Sequence, residues 1–190
     1  IGLNPYHGER RAGCVGQALP GVEVQLFDEY DEPISEEALP GEIRIKGDNV
    51  FLEYWDNEKA TRESFKDGWF CTGDVAVMED GYYRIMGRSS VDIIKSGGYK
   101  LSALEIEGVL LTHDAISEVA VIGVEDETWG ESVTAVIALV EGAELDYGSL
   151  KQWCDGKMSS YKIPKAIKII KALPRNAMGK VTKPALKEML

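Results

Sequence analysis

Two stretches of this chain read as near-continuous apolar strands, Val119-Ala120-Val121-Ile122-Gly123-Val124 and Val133 to Val140. A strand with no regular polar positions suits the interior of a sheet that is covered on both faces. Upstream the pattern differs. Val22-Glu23-Val24-Gln25-Leu26-Phe27 and Gly41-Glu42-Ile43-Arg44-Ile45-Lys46-Gly47 alternate apolar and polar residues, as strands with one buried face do. The chain thus carries two kinds of sheet, one in each half.

Local signals fill in the rest. Asp28 to Pro40 reads as an acidic loop, and Asn57 as the N-cap of a short helix over 59–65. Glu79-Asp80-Gly81 predicts a turn, with a strand from Tyr82 to Met86 leaving it. After Arg88 the character changes. Ser102 with Glu105 three residues later forms a capping box, and Leu104, Val109 and Leu111 populate the helix that follows. A helix is expected to begin over Leu145 to Trp153, a strand over Ala166 to Ile170, and a terminal helix over Pro184 to Leu190. The fold class is therefore α+β, with a β-rich region over 1–88 and a small α/β module over 89–190. The boundary falls near residues 88–92.

Charge and cysteine usage narrow the function. The 190 residues carry a formal charge of −11, which disfavours non-specific binding to nucleic acid or to an anionic membrane. A small basic cluster can still take an anionic substrate. Cys14, Cys71 and Cys154 are far apart and make no CxxC, so they read as reduced thiols in the cytoplasm or another reducing compartment. His7 and His113 cannot build a zinc site with cysteines so dispersed, and no metal site is expected. No apolar run reaches membrane-spanning length. The opening Ile1-Gly2-Leu3-Asn4-Pro5-Tyr6 has neither an initiator Met nor a signal pattern, and reads as the interior of a longer chain.

Three segments carry chemistry. Gly68-Trp69-Phe70-Cys71-Thr72-Gly73-Asp74 places a carboxylate on a tight loop. One ionised carboxylate can accept two hydrogen bonds, as a vicinal diol requires. Thr-Gly-Asp by itself is more often a plain turn. Gly87-Arg88 through Lys95-Ser96-Gly97-Gly98-Tyr99-Lys100 flanks a Gly-Gly pair with basic residues, a loop able to present N–H groups and ammonium charge to phosphate. The commoner fate of Gly-Gly is a solvated turn. Pro174-Arg175-Asn176-Ala177-Met178-Gly179-Lys180 ends in a Gly-Lys on a mobile loop. It is not a Walker site, because Pro174 stands where the first Gly would and Val181 follows the Lys.

Singly these are weak; their order is specific. Gly-Glu-Ile-Arg-Ile-Lys-Gly, then Trp-Phe-Cys-Thr-Gly-Asp, then Gly-Arg…Asp-Ile-Ile-Lys-Ser-Gly-Gly-Tyr-Lys…Glu-Ile-Glu, then Pro-Arg-Asn-Ala-Met-Gly-Lys closely resemble the later motifs of the adenylate-forming superfamily. That superfamily includes acyl-CoA synthetases, firefly luciferase and peptide-synthetase adenylation domains. Asn4 to Val22 and Asp126-Glu127-Thr128-Trp129-Gly130-Glu131 are most similar to malonyl-CoA synthetases and their near relatives.

The resemblance implies a division of labour. Residues 1–88 would be the C-terminal end of the large AMP-binding domain, and 89–190 the mobile C-terminal domain. Asp74 would hold the ribose hydroxyls of ATP, with Arg88 supporting the same sugar. Lys180 would be the catalytic lysine that bridges α-phosphate and carboxylate. Lys95, Gly97, Gly98, Tyr99 and Lys100 would lie near the CoA channel, and Ser90 or Val91 would be the hinge. ATP with Mg2+, CoA and a short carboxylic acid such as malonate would be the ligands. The phosphate loop, the magnesium ligand and most of the acid pocket would lie in a preceding N-terminal domain, so this chain alone would be inactive. Two alternatives stand beside the ligase: adenylation with transfer to a carrier-protein phosphopantetheine, and a non-catalytic binding module.

Overall fold

The computed structural model describes residues 2–189 and divides into two units, Ile1–Ser89 and Ser90–Leu190. The first unit runs β1 (Gly2–Leu3), β2 (Gln17–Ala18), β3 (Val22–Phe27), β4 (Pro33–Ile34), β5 (Gly41–Gly47), α1 (Glu58–Glu63), β6 (Phe65–Lys66), β7 (Trp69–Glu79) and β8 (Tyr82–Arg88). Strands β3 to β8 form one antiparallel sheet, with β5 between β3 and β7 and with β8 on β7.

The alternating pattern of β3 and β5 is realised in register. Val24 pairs with Ile45 and Leu26 with Ile43, and these join Ala76 in the unit's core. The polar set pairs on the opposite face, Gln25 with Arg44 and Phe27 with Glu42. There the Arg44 guanidinium lies 4.5 Å from the Phe27 ring centroid, and Lys46 Nζ lies 4.4 Å from that of Trp69. Arg44 also pairs with Asp31 and Glu42. In α1 the expected N-cap is present: Asn57 accepts a hydrogen bond from the Ala60 N–H.

The second unit runs β9 (Ile93–Ser96), β10 (Tyr99–Ser102), α2 (Ala103–Leu110), β11 (Ile116–Asp126), β12 (Gly130–Leu139), α3 (Tyr147–Cys154), a 3-10 turn (Ser160–Lys162), β13 (Ala166–Ile169) and α4 (Lys183–Glu188). The terminal helix expected over 184–190 therefore starts one residue earlier, and Leu190 lies outside the described residues. Strand β12 is the hub. It pairs with β11 along one edge, and otherwise with β9 at Gly130 and with β13, in parallel, over Thr134–Ile137.

The continuous apolar runs follow from burial on both sides. Val119, Val121, Val133 and Ile137 face α2 and α3, packing on Ile106, Leu110, Leu150 and Cys154. Ala120, Ile122 and Val136 face the other way, onto Leu173 and Leu186 of the C-terminal segment. Ser102 caps α2 by accepting the Glu105 N–H at 3.1 Å, as the capping box predicts. The Glu105 carboxylate itself reaches Lys162 Nζ at 2.6 Å. The architecture is mixed α+β, β-rich with little helix.

Candidate active site

Asp74 is not on a free loop, as the sequence suggests, but at a bulge inside the eleven-residue strand β7. Between the pairs Glu42↔Val75 and Arg44↔Cys71, β5 spans one residue while β7 spans three. Gly73 adopts φ +72°, the left-handed region that favours glycine, and a Cβ there would stand 3.3 Å from Arg88 Nη1. Side chains brace the bulge: Thr72 Oγ1 donates to the Ile43 carbonyl at 2.7 Å, and Glu42 Oε1 accepts the Gly73 N–H at 3.1 Å. Sequence reasoning missed both braces, because each depends on strand partners about thirty residues away.

The bulge aims Asp74 at its cross-strand partner Arg88. Arg88 Nε meets Asp74 Oδ1 at 3.0 Å, and Arg88 Nη1 donates to the Thr72 carbonyl at 3.0 Å. The Asp74 side chain keeps about 30% of its surface exposed, enough to accept further hydrogen bonds. A fixed carboxylate beside a fixed guanidinium is therefore presented on the strand ladder. Beyond it, Ser89 to Asp92 form a turn in which Ser90 is exposed and Val91 half-buried.

The Gly-Gly pair is a turn, but its flanks are strand. Strands β9 and β10 form a hairpin whose two-residue turn is Gly97-Gly98, at φ +58° and +83°. Positive φ at both central positions is the tight-hairpin signature, and the Gly-Gly dipeptide carried that signal. Gly97 is also sterically required: a Cβ would lie 2.9 Å from the Trp129 ring. The hairpin sets Lys95 directly opposite Lys100. Tyr99 stacks on Tyr161 at 4.8 Å, and Lys165 Nζ stands 3.3 Å from the Trp129 ring centroid. Glu131 Oε2 accepts the Lys95 N–H at 2.7 Å. Tyr161 and Lys165 escape sequence reading because they lie far from the hairpin along the chain, and Trp129, within the Asp126–Glu131 motif, gives no local sign that it packs on Gly97.

Lys180 sits on a turn that is internally locked instead of mobile. Asn176 Oδ1 accepts the N–H groups of Met178 and Lys180, both at 3.0 Å. Asn176 N–H donates to the Lys180 carbonyl at 2.9 Å, and Thr182 N–H donates to Pro174 at 2.9 Å. Arg175 bonds the Gly179 carbonyl at 2.8 Å and pairs with Glu118 of β11. The backbone is thereby fixed while the Lys180 side chain remains exposed. An Asn accepting from residues two and four ahead is a local turn signal that sequence reading missed.

Other chemistries find little support. Burial pushes the thiols of Cys71 and Cys154 up, away from the thiolate. Among the described residues, no group of three His, Cys, Asp or Glu side chains could hold a metal ion, and no helix is long and apolar enough to cross a membrane.

Comparison with known proteins converges on one family. Residues 105–180 match the AMP-binding enzyme C-terminal domain. The mitochondrial malonate–CoA ligase ACSF3 of Mus musculus is 47% identical over 206 residues, spanning 98% of this chain and 35% of the relative. The malonate–CoA ligase of Arabidopsis thaliana is 45% identical, over 98% of this chain and 32% of that one. The crystal structure of ATP-bound MatB from Rhodopseudomonas palustris superposes with a TM-score of 0.82 at 39% identity, covering 98% of this chain and 37% of MatB. The chain thus spans about a third of the length of the curated relatives it matches. Its sheets, its turns and its sequence belong together to the adenylate-forming enzymes, as a C-terminal AMP-binding portion closely related to those of the malonyl-CoA synthetase-like members.

Proposed function

We propose that this chain serves as the C-terminal portion of an ATP-dependent carboxylic acid–CoA ligase acting on malonate or a similar short acid. The observation that carries the reading is the exposed Lys180, held on a self-locked turn, in a chain that malonate–CoA ligases match along nearly its whole length. Residues 1–88 act as the end of the large AMP-binding domain and 89–190 as the mobile domain, turning about Ser90 or Val91.

In this reading the acid and ATP first give an acyl-adenylate and pyrophosphate, and the CoA thiol then displaces AMP. Attack of a carboxylate on the α-phosphate brings two anions together. The Lys180 ammonium stabilises the charge that develops there, and its fixed backbone reduces the reorganisation needed to do so. Asp74 accepts the ribose hydroxyls, and Arg88 keeps that carboxylate aimed. In the second step the Gly97-Gly98 hairpin faces CoA. Lys95 and Lys100 stand opposite each other at a cost that a bound phosphate would relieve. Mg2+ would be held by residues outside this chain. The cysteines, all unpaired among the described residues, suit a reducing compartment such as that of the mitochondrial relatives.

The test is a half-reaction split in the longer enzyme that contains this chain. Lys180→Ala is expected to slow acid-dependent ATP–pyrophosphate exchange by about 10²–10³-fold. Thioester formation from supplied acyl-adenylate should be largely spared. Equal loss in both half-reactions would show that Lys180 is not an adenylation residue. The isolated 190-residue chain is expected to show no exchange at all.

A further inference from the structure

Three residues beyond Lys180, a second lysine is treated in the opposite way. Lys183 is only 9% exposed. Its Nζ lies 2.7 Å from Asp92 Oδ1 and 2.8 Å from Glu107 Oε1. The two carboxylates come from separate places: Asp92 leads into β9, directly after the Ser89–Val91 turn, and Glu107 lies within α2. Each is held from its own side. Glu107 Oε1 also accepts the Val121 N–H of β11 at 2.7 Å, and the Asp92 carbonyl accepts the Ala103 N–H at 2.8 Å.

Helix stability does not account for a lysine here. A cation in the first turn of α4 faces the positive end of the helix dipole. Thr182 makes no side-chain cap bond, so among the described residues the only negative charge offsetting Lys183 is that of Asp92 and Glu107. Nor does burial favour it. Desolvating one ammonium and two carboxylates costs much of what their attraction returns, and apolar residues of similar volume often stabilise as well. What the cluster supplies and an apolar filling does not is direction: one ammonium, two fixed acceptors, one location for the start of α4. The Lys180 turn is closed immediately before it, by Thr182 N–H on the Pro174 carbonyl.

We propose that Lys183 is a positioning residue for Lys180. Its ion pairs with Asp92 and Glu107 lock the Lys180 turn to the segment that leaves the unit boundary. When that segment turns, the Lys180 loop is carried as one body with it. The inference rests on reading Lys180 as the adenylation lysine, and it names the contact through which the placement of that lysine is set.

Lys183→Met alone removes the countercharge of two carboxylates, so the variant of choice is the neutral triple Lys183→Met, Asp92→Asn, Glu107→Gln in the longer enzyme. Thermal melts report folding, and the two half-reactions are measured separately. A misplacement of about 1 Å at a reacting group can cost on the order of 10²-fold. The triple is therefore expected to lose about 10- to 100-fold in ATP–pyrophosphate exchange, with thioester formation from supplied acyl-adenylate unchanged. An equal fall in both half-reactions, or no fall in exchange, overturns the proposal. If the triple has no cooperative melt, Asp92→Asn alone is judged by the same two outcomes. Lys180→Ala run in parallel separates the two ideas. Exchange lost there but kept in the triple refutes only the positioning role, whereas exchange kept in Lys180→Ala refutes the reading beneath it.

Discussion

The sheet of the first unit buries one face under apolar contacts and finishes the other with charge. Val24, Leu26, Ile43 and Ile45 lie on one side, while Arg44 and Lys46 lie over Phe27 and Trp69 on the other. The sheet of the second unit buries both faces, beneath α2 and α3 on one and beneath Leu173 and Leu186 on the other. The first unit also exposes large apolar side chains, among them Leu52 and Trp55, each 92% exposed. The Arg44 guanidinium over Phe27 is itself buried, and a desolvated cation–π contact contributes about 2 kcal/mol, comparable to the about 1.5–3 kcal/mol of a buried aliphatic side chain. The second unit fills both faces with apolar side chains; the first fills its second face with charge laid over aromatic rings, which must keep its ion pairs to stay buried.

The sharpest way to break this comparison is to separate the units. A fragment of residues 90–190 is expected to melt cooperatively and give dispersed amide resonances. A fragment of residues 1–89 should show a broad, weakly cooperative transition. Equal cooperativity in both would end the comparison. Next in size are core truncations. Ile137→Ala, at the hub strand and with no exposed surface, should cost about 3–5 kcal/mol by denaturant unfolding. Ile45→Ala should fall nearer 2 kcal/mol, about the lower end for such changes, because its sheet can relax toward the charged face. Smaller again are the helix caps. Ser102→Ala removes the buried cap of α2 and should cost about 1 kcal/mol, with Asn57→Ala on the exposed six-residue α1 costing less.

Acid should produce the smallest effect. Hydrogen bonds from Arg44, and then from Lys66, hold the Asp31 carboxyl below the usual carboxylate range. Hydrogen bonds from Ser149 do the same for Asp146 in the second unit. A depressed carboxylate contributes stability above its unfolded pKa of about 4, and that contribution is lost as pH falls through the folded value. Both units should therefore weaken below about pH 4. Because both carboxylates are exposed, salt should screen the effect. Asp31→Asn should flatten the acid limb of urea midpoints measured from pH 6 down to pH 3; an unchanged limb would show that its pairs carry no net stability.

What was legible in the chain tracks how local its cause is. The alternating β3 and β5, the runs of β11 and β12, and the Asn57 and Ser102 caps depend on neighbours within a few residues. Each appears near its expected place. The strand around Asp74 reads as a tight loop in the sequence, because glycine dominates a local reading; Gly97-Gly98 is the turn expected, but the strands β9 and β10 that flank it were not foreseen. The candidate residues were found by motif order, yet their supports were not. Glu42 under Gly73, Trp129 under Gly97 and Glu107 on Lys183 are each brought there by another strand or helix, which no window of sequence contains.

The link between Lys183 and Asp92 spans 91 positions of chain. In space it is one ion pair; along the chain it is among the longest-range contacts of the module, a kind that closes slowly. Strand β13 must first cross over and pair in parallel with β12, a slow class of event because a long loop has to close before its contacts reward it. Synthesis runs from the N-terminus, so the turn bearing Lys180 takes up its position only when almost the whole module has emerged. A ribosome-bound intermediate ending near residue 170 would already have the apolar runs of β11 and β12 and the carboxylates of Asp92 and Glu107, but no α4 to cover them. The Lys180 turn and the helix α4 that follows it thus come after the strands they pack on in the order of synthesis.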